Sequence, residues 1–208
     1  MGFVHRTATL TPTKQELVES WLPTRPWAGG RTISEKIAEY RFDDPDGEIG
    51  VETILWRTED GSVIQTPLTY RATPLEGAEA WLIGTADHTV LGDRWVYDGC
   101  ADPVWAATLA TAILTGGSQA QMVIEVDGER IDVPPRMRVR GSGTGSAQVP
   151  ELTAVDSVND DGQLTRIEAG PLVLTLARVV GTEVPGDETL SGMIGDEPET
   201  LILAGLTR

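Results

Sequence analysis

The sequence predicts an α+β fold, an antiparallel sheet carrying one packed helix and followed by a smaller β-rich unit. Three observations predict it. Short apolar segments are joined by Asp60-Gly61 and Asp127-Gly128, and Asp-Gly is a strong hairpin signal. One segment, 102–115, is marked as a helix at both ends. Every aromatic residue precedes position 106, so the rest of the chain must build its core from Val, Ile, Leu, Ala and Met. That change divides the chain into 1–116 and 117–208, with the boundary at Thr115-Gly116-Gly117-Ser118-Gln119.

In chain order, Thr11 to Leu22 predicts a short helix. Thr13 and Glu16 have capping-box spacing, Leu17, Val18 and Trp21 form one apolar face, and Pro23 ends it. Residues 33–43 read as a strand, and 48–57 and 62–71 as a hairpin. Pro67 lies inside the second hairpin strand and predicts an edge position or a bulge, because proline has no N–H for a ladder. Residues 78–84 and 94–98 complete the sheet. The helix follows, with Asp102 as N-cap, Pro103 at the first helical position and Gly116 as the stop. Val104, Trp105, Leu109, Ala112 and Ile113 are its sheet-facing positions.

The second half reads as wholly β. Strands are expected at 121–126, 129–133, 136–140, 151–158, 163–168 and 171–180. The stretch 181–199, rich in Gly, Pro, Asp and Glu, predicts a mobile acidic loop, and 201–204 a final strand.

Charge excludes several partners. The formal net charge is −16, so phosphate backbones and anionic membrane surfaces repel the chain. Arg136, Arg138 and Arg140 alternate along one short strand and predict a solvated face, not a nucleic-acid patch. Cys100 stands alone, which precludes an internal disulfide and fits a reducing compartment. The N-terminus has no signal-length apolar run, Arg6 stands where a myristoylation signal needs Ser or Thr, and no apolar run approaches the ~20 residues that span a bilayer. A cytoplasmic protein is expected.

Three stretches carry a family resemblance. They are Gln65 to Arg71, Leu75 to Gly84, and Arg94 through the aromatic strand and turn into the helix ending at Gly116. With Trp21-Leu22-Pro23-Thr24-Arg25-Pro26-Trp27, they resemble the N-terminal cap region of actinobacterial maltokinases over about residues 5–115. Those enzymes phosphorylate maltose on the route from trehalose to α-glucan. The second half resembles the start of the family's nucleotide-binding lobe, a kinase N-lobe. There Arg140-Gly141-Ser142-Gly143-Thr144-Gly145-Ser146-Ala147 matches a phosphate-covering turn and Leu172 to Arg178 a lysine-bearing strand.

In that register the lysine position is Thr175, whose hydroxyl cannot replace an ammonium against a triphosphate. The sequence also ends before a catalytic lobe, so the resemblance implies a truncated N-lobe, no phosphoryl transfer and no nucleotide cofactor. Gly141 to Gly145 alone is neither a P-loop nor a dinucleotide fingerprint, and reads as a flexible hairpin loop.

Other chemistry is thinly supported. His5 and His88 are the only histidines. Asp87, His88, Asp93, Asp98 and Cys100 can be drawn as a zinc site, but a solvated acidic loop is the expectation, so no metal ligand is assigned. A Cys100–His88 nucleophile pair requires the two to meet in space, and Cys100 is expected as a plain turn residue. Glu76, Glu79 and Asp98 are the carboxylates nearest tryptophans, and no catalytic role is assigned to them. Exposed indoles stack on sugar rings, so Trp27, Trp56, Trp81 and Trp95 are the candidate ligand-binding residues, with Trp105 also noted. Trp27, in a Pro-Trp-Ala-Gly-Gly loop, is the one expected to be exposed, whereas Trp56 shares a strand face with Ile54 and leans toward burial.

The expectation is therefore a non-catalytic cap-like protein that binds or regulates a protein partner in trehalose–maltose–glycogen conversion. The alternatives are an α-glucan-binding module and a small glycoside-acting enzyme.

Overall fold

A computed structural model describes residues 9–126 and 129–208. His5, Arg6 and the Asp127-Gly128 turn lie outside the described residues.

The N-terminal helix α1, Lys14–Trp21, starts as its sequence dictates. The Thr13 hydroxyl accepts from the Glu16 amide at 3.2 Å, and the Glu16 carboxylate accepts from the Thr13 amide at 2.7 Å. Leu17, Val18 and Trp21 are its buried face, and Pro23 opens a 3₁₀ turn that ends it.

The first sheet contains six antiparallel strands: β1 Leu10–Thr11, β2 Ile33–Asp43, β3 Gly50–Thr58, β4 Val63–Arg71, β5 Leu82–His88 and β6 Gly92–Asp98, in the order β1-β5-β6-β4-β3-β2. Asp60 closes the β3–β4 turn, accepting from the Thr58 hydroxyl at 2.6 Å and the Ser62 amide at 3.0 Å, with Gly61 at φ 84°. β1 had no signal in the sequence. The strand expected at 78–84 begins four residues later, because Glu79–Trp81 forms a 3₁₀ turn.

Pro67 corrects an expectation, since β4 is an interior strand. The Gln65 amide, on the same strand edge two residues earlier, donates to the Arg178 carbonyl at 2.9 Å, while pairing with β6 begins only at Leu68. Pro67 therefore occupies the gap where β4 changes partner, and no ladder bond is lost there.

The helix α2, Pro103–Thr115, has the expected ends. The Asp102 carboxylate accepts from the Val104 amide at 2.9 Å, and Gly116 takes the left-handed conformation at φ 66°. Its burial is wider than one stripe, with Ala106, Thr108, Ala110 and Leu114 buried beside Trp105, Leu109 and Ile113. The reason is a second sheet, which leaves the helix little open side.

That sheet has the order β10-β11-β12-β14-β13-β9, with β9 Met137–Gly141, β10 Ser157–Asp161, β11 Leu164–Ala169, β12 Leu172–Ala177, β13 Glu188–Ile194 and β14 Leu201–Thr207. A separate hairpin pairs β7 Met122–Val126 with β8 Glu129–Val133. The strand expected at 151–158 is confined to β10. The stretch 181–199 is not a mobile loop, because β13 pairs on both sides, with β14 and β9. Acidic flanks hid it. Leu190 is fully buried within it, and a Cβ on Gly192 would come within 2.5 Å of Met137 Cε.

Strand alternation gives β3 two covered faces. Ile54 and Trp56 join α1, Trp21 and Trp27 in one apolar cluster. Val51 and Leu55 join α2 and second-sheet residues such as Met137, Leu190 and Leu203 in the other, which crosses Gly116.

Candidate functional site: a basic pocket on the first sheet

On the α1 side of the first sheet lies a pocket of about 550 Å³. Its wall takes Lys14 from α1, Lys36 and Arg41 from β2, and Arg94 from β6. Glu52 and Trp56 of β3, Tyr70 of β4, His88, Leu10 and Leu91 complete it. Four of the chain's 16 Lys and Arg residues thus face one cavity in a protein that carries 32 Asp and Glu.

Glu52 is 3% exposed and fully engaged. Lys14 Nζ donates to its two oxygens at 2.9 and 2.6 Å, and the Tyr70 hydroxyl donates to it at 2.8 Å. Burial pushes this carboxyl up, but the charges of Lys14 and Arg41 outweigh burial and hold it at about 2. Burial, and then the Glu52 charge, push the Tyr70 phenol well above its ordinary value, so it stays a donor. Lys36 Nζ pairs with Glu39 at 2.9 Å. Arg94 donates to the Asp93 carbonyl at 2.8 Å, and among the described residues neither Arg41 nor Arg94 has a carboxylate within ion-pair distance. His88 Nδ1 accepts from the Leu91 amide at 3.1 Å, which fixes that nitrogen as unprotonated.

This pocket was not legible in the sequence. Its cations come from three elements, and none is adjacent to another along the chain. Parity places Glu52 and Trp56 on one face of β3, but Lys36 and Arg41 are an odd number of residues apart and come to that face together only through the register shift between Lys36 and Ala38.

Of the four candidate tryptophans, only Trp56 borders the pocket. It is 1% exposed, and its indole N–H donates to Thr66 Oγ1 at 2.8 Å. Trp27 corrects an expectation, being 2% exposed. Its ring lies under the Arg178 guanidinium at 4.7 Å and meets Trp21 edge-on at 5.9 Å. Trp105 is fully buried. Trp81 is half-buried, with the Arg25 guanidinium 5.8 Å from its centroid. Trp95 is half-buried on β6, on the opposite strand face from Arg94.

The polar candidates also separate. His88 pairs with Gly92 at one end of β6, while Cys100 follows the other end, fully buried, so they form no nucleophile pair. Burial pushes the Cys100 thiol well above its ordinary value. Asp98 is not part of a solvated acidic loop. It is fully buried and accepts from Arg178 Nη2 at 2.5 Å, whereas Glu76 and Glu79 are exposed. Among the described residues no His, Cys, Asp and Glu group is arranged to hold a metal ion. Likewise, no described helix is long and apolar enough to cross a membrane.

Arg178 had no signal in the sequence beyond its place on a strand. Burial opposes its charge, but the Asp98 carboxylate outweighs burial and raises its pKa further, so the guanidinium stays protonated. Its Nε donates to Thr165 at 2.7 Å, and its Nη1 has no hydrogen-bond partner among the described residues. Beside it, Gln65 Nε2 donates to the Ala177 and Leu203 carbonyls at 2.6 and 2.7 Å.

The glycine-rich segment is not a flexible loop but a cap on α2. The Gly143 and Thr144 amides donate to the Ile113 and Leu114 carbonyls, each at 2.9 Å. Gly141 and Ser142 donate to the Gly117 and Thr189 carbonyls, also at 2.9 Å. Phosphate cradling needs free amides near a positive helix end, whereas these are spent at a carbonyl end. Thr175 is buried on β12, opposite Arg166 and Gly205.

No curated protein matches the chain. Residues 21–102 match the family model described as the maltokinase N-terminal cap domain. The match spans β2 to β6 and ends on the N-cap of α2, taking in most of the pocket. Over that span, which is less than half of the chain, the protein is similar to the maltokinase N-terminal cap domain.

Proposed function

We propose that the chain is a non-catalytic recognition protein of maltokinase-type α-glucan metabolism, acting in the cytoplasm on a protein partner of the trehalose–maltose–glycogen route. In this reading residues 1–116 are the cap-like unit, 117–208 a β-rich unit of kinase N-lobe type, and the basic pocket is the recognition site. The cap-domain match over 21–102 carries the proposal. Two details support the non-catalytic part. The turn that resembles a phosphate-covering loop has its amides committed to α2, and Thr175 stands where a phosphate-binding lysine would be needed.

Purified chain, mixed with purified maltokinase and with trehalose synthase of the same organism, is expected to co-elute with one of them in size-exclusion chromatography. On its own it is expected to leave ATP and maltose unreacted. Absence of both complexes, or robust maltose phosphorylation by the chain alone, overturns the proposal.

A second reading, an α-glucan-binding module, is favoured by the half-buried Trp81, with Arg25 alongside, and by the half-buried Trp95. Titration with maltooligosaccharide then quenches tryptophan fluorescence, and an unchanged spectrum at millimolar sugar removes that reading.

A further inference from the structure

We infer that the basic pocket binds the phosphate group of a small organic phosphate ester. The inference builds on the pocket as recognition site and adds the class of ligand it takes. A chain of net charge −16 lowers its folding stability when it repels itself, so scattering its few cations among carboxylates is favourable. Here Lys14, Lys36, Arg41 and Arg94 are gathered instead around one cavity.

Only two carboxylates are bonded to them. Glu52 is held by Lys14 and Tyr70, and Glu39 by Lys36. Four cations against two carboxylates leave two positive charges, the complement of a phosphate monoester dianion. This surplus lies at Arg41 and Arg94, whose planar forks match phosphate oxygens and which have no carboxylate within ion-pair distance among the described residues, although the Arg41 charge is felt by Glu52.

The remaining wall asks for an organic body. Leu91 is 51% exposed at the pocket, and Leu10 and Trp56 border it. A cavity of about 550 Å³ suits a small molecule better than an acidic protein segment, which would spread over a flatter surface.

The test is isothermal titration of the full chain with glucose 1-phosphate, inorganic phosphate and glucose at low and at high salt. The expected result is binding of glucose 1-phosphate, weaker binding of inorganic phosphate and none of glucose, with affinity falling as salt rises. Arg41→Gln and Arg94→Gln are each expected to weaken glucose 1-phosphate by ~10-fold or more; for Arg94→Gln, which does not support the buried Glu52 charge, the melting midpoint stays within a few degrees. The Trp56 indole N–H resonance shifts on binding. The inference is overturned if neither phosphate probe binds, if glucose binds as well as its phosphate, or if both variants bind like the parent. Overturn by an acidic peptide that outcompetes glucose 1-phosphate at this site is a further outcome. Co-elution with the partner enzyme is measured on the same preparation. A complex that forms without phosphate binding sinks the ligand class alone, whereas phosphate binding without a complex sinks the partner reading alone.

Discussion

At Glu52, a buried carboxylate keeps its charge because Lys14 and Arg41 surround it, and this ties stability to pH. Its ordinary value is 4.5, and in the folded protein it lies at about 2. A folded value below the unfolded one gives a contribution complete above about 4.5 and lost as pH falls toward 2. Urea midpoints of the parent and of Glu52→Gln should therefore differ most at pH 6 and clearly less at pH 3, converging only as pH approaches about 2. A gap that stays constant across that range contradicts the assignment. Residues of this type were the least legible in the sequence. Lys14, Arg41 and Glu52 are ordinary polar letters until strand pairing places them together. The same is true of Arg178, whose burial depends on Asp98, 80 positions away. Trp27 shows the opposite error, for its glycine-rich surroundings suggest exposure while a 3₁₀ turn, Pro26–Ala28, folds its ring beneath Arg178.

Elements whose signal is local were read correctly. The capping box of α1, both ends of α2 and the Asp60-Gly61 turn each depend on a few adjacent residues. Elements that depend on a distant partner were not. β13 needs β9 and β14 on its two sides, and the glycine segment needs the end of α2. Nothing within Gly141 to Gly145 distinguishes a cap from a flexible loop. A structural consequence does. A Cβ on Gly143 would stand 2.0 Å from the Leu114 carbonyl oxygen, backbone that cannot swing aside, whereas one on Gly145 meets nothing within 4 Å. Gly143→Ala should therefore cost at least about 2 kcal/mol in chemical denaturation, and Gly145→Ala should stay within about 0.5 kcal/mol of the parent. Equal effects would show that the segment does not hold α2.

Across the whole molecule, the aromatic-rich and aromatic-free halves suggest two packing units, yet an apolar cluster and a buried polar network both cross Gly116. Asp98 and Gln65 come from the first half, and their partners Arg178, Ala177 and Leu203 from the second. Composition could reveal the asymmetry of side chains but not which of them meet. The test exploits the same asymmetry, because every tryptophan precedes position 106, so the fluorophores all belong to the first half, with Trp27 and Trp105 at its border with the second. Amide exchange in β12 and β14 reports the second. Asp98→Asn strands the buried Arg178 charge and should lower stability by about 3 kcal/mol. If the halves fold as one unit, the fluorescence midpoint and the exchange protection of β12 and β14 fall together. A loss of the fluorescence midpoint with unchanged protection in those strands would mean that the units fold separately and that the ion pair merely docks them.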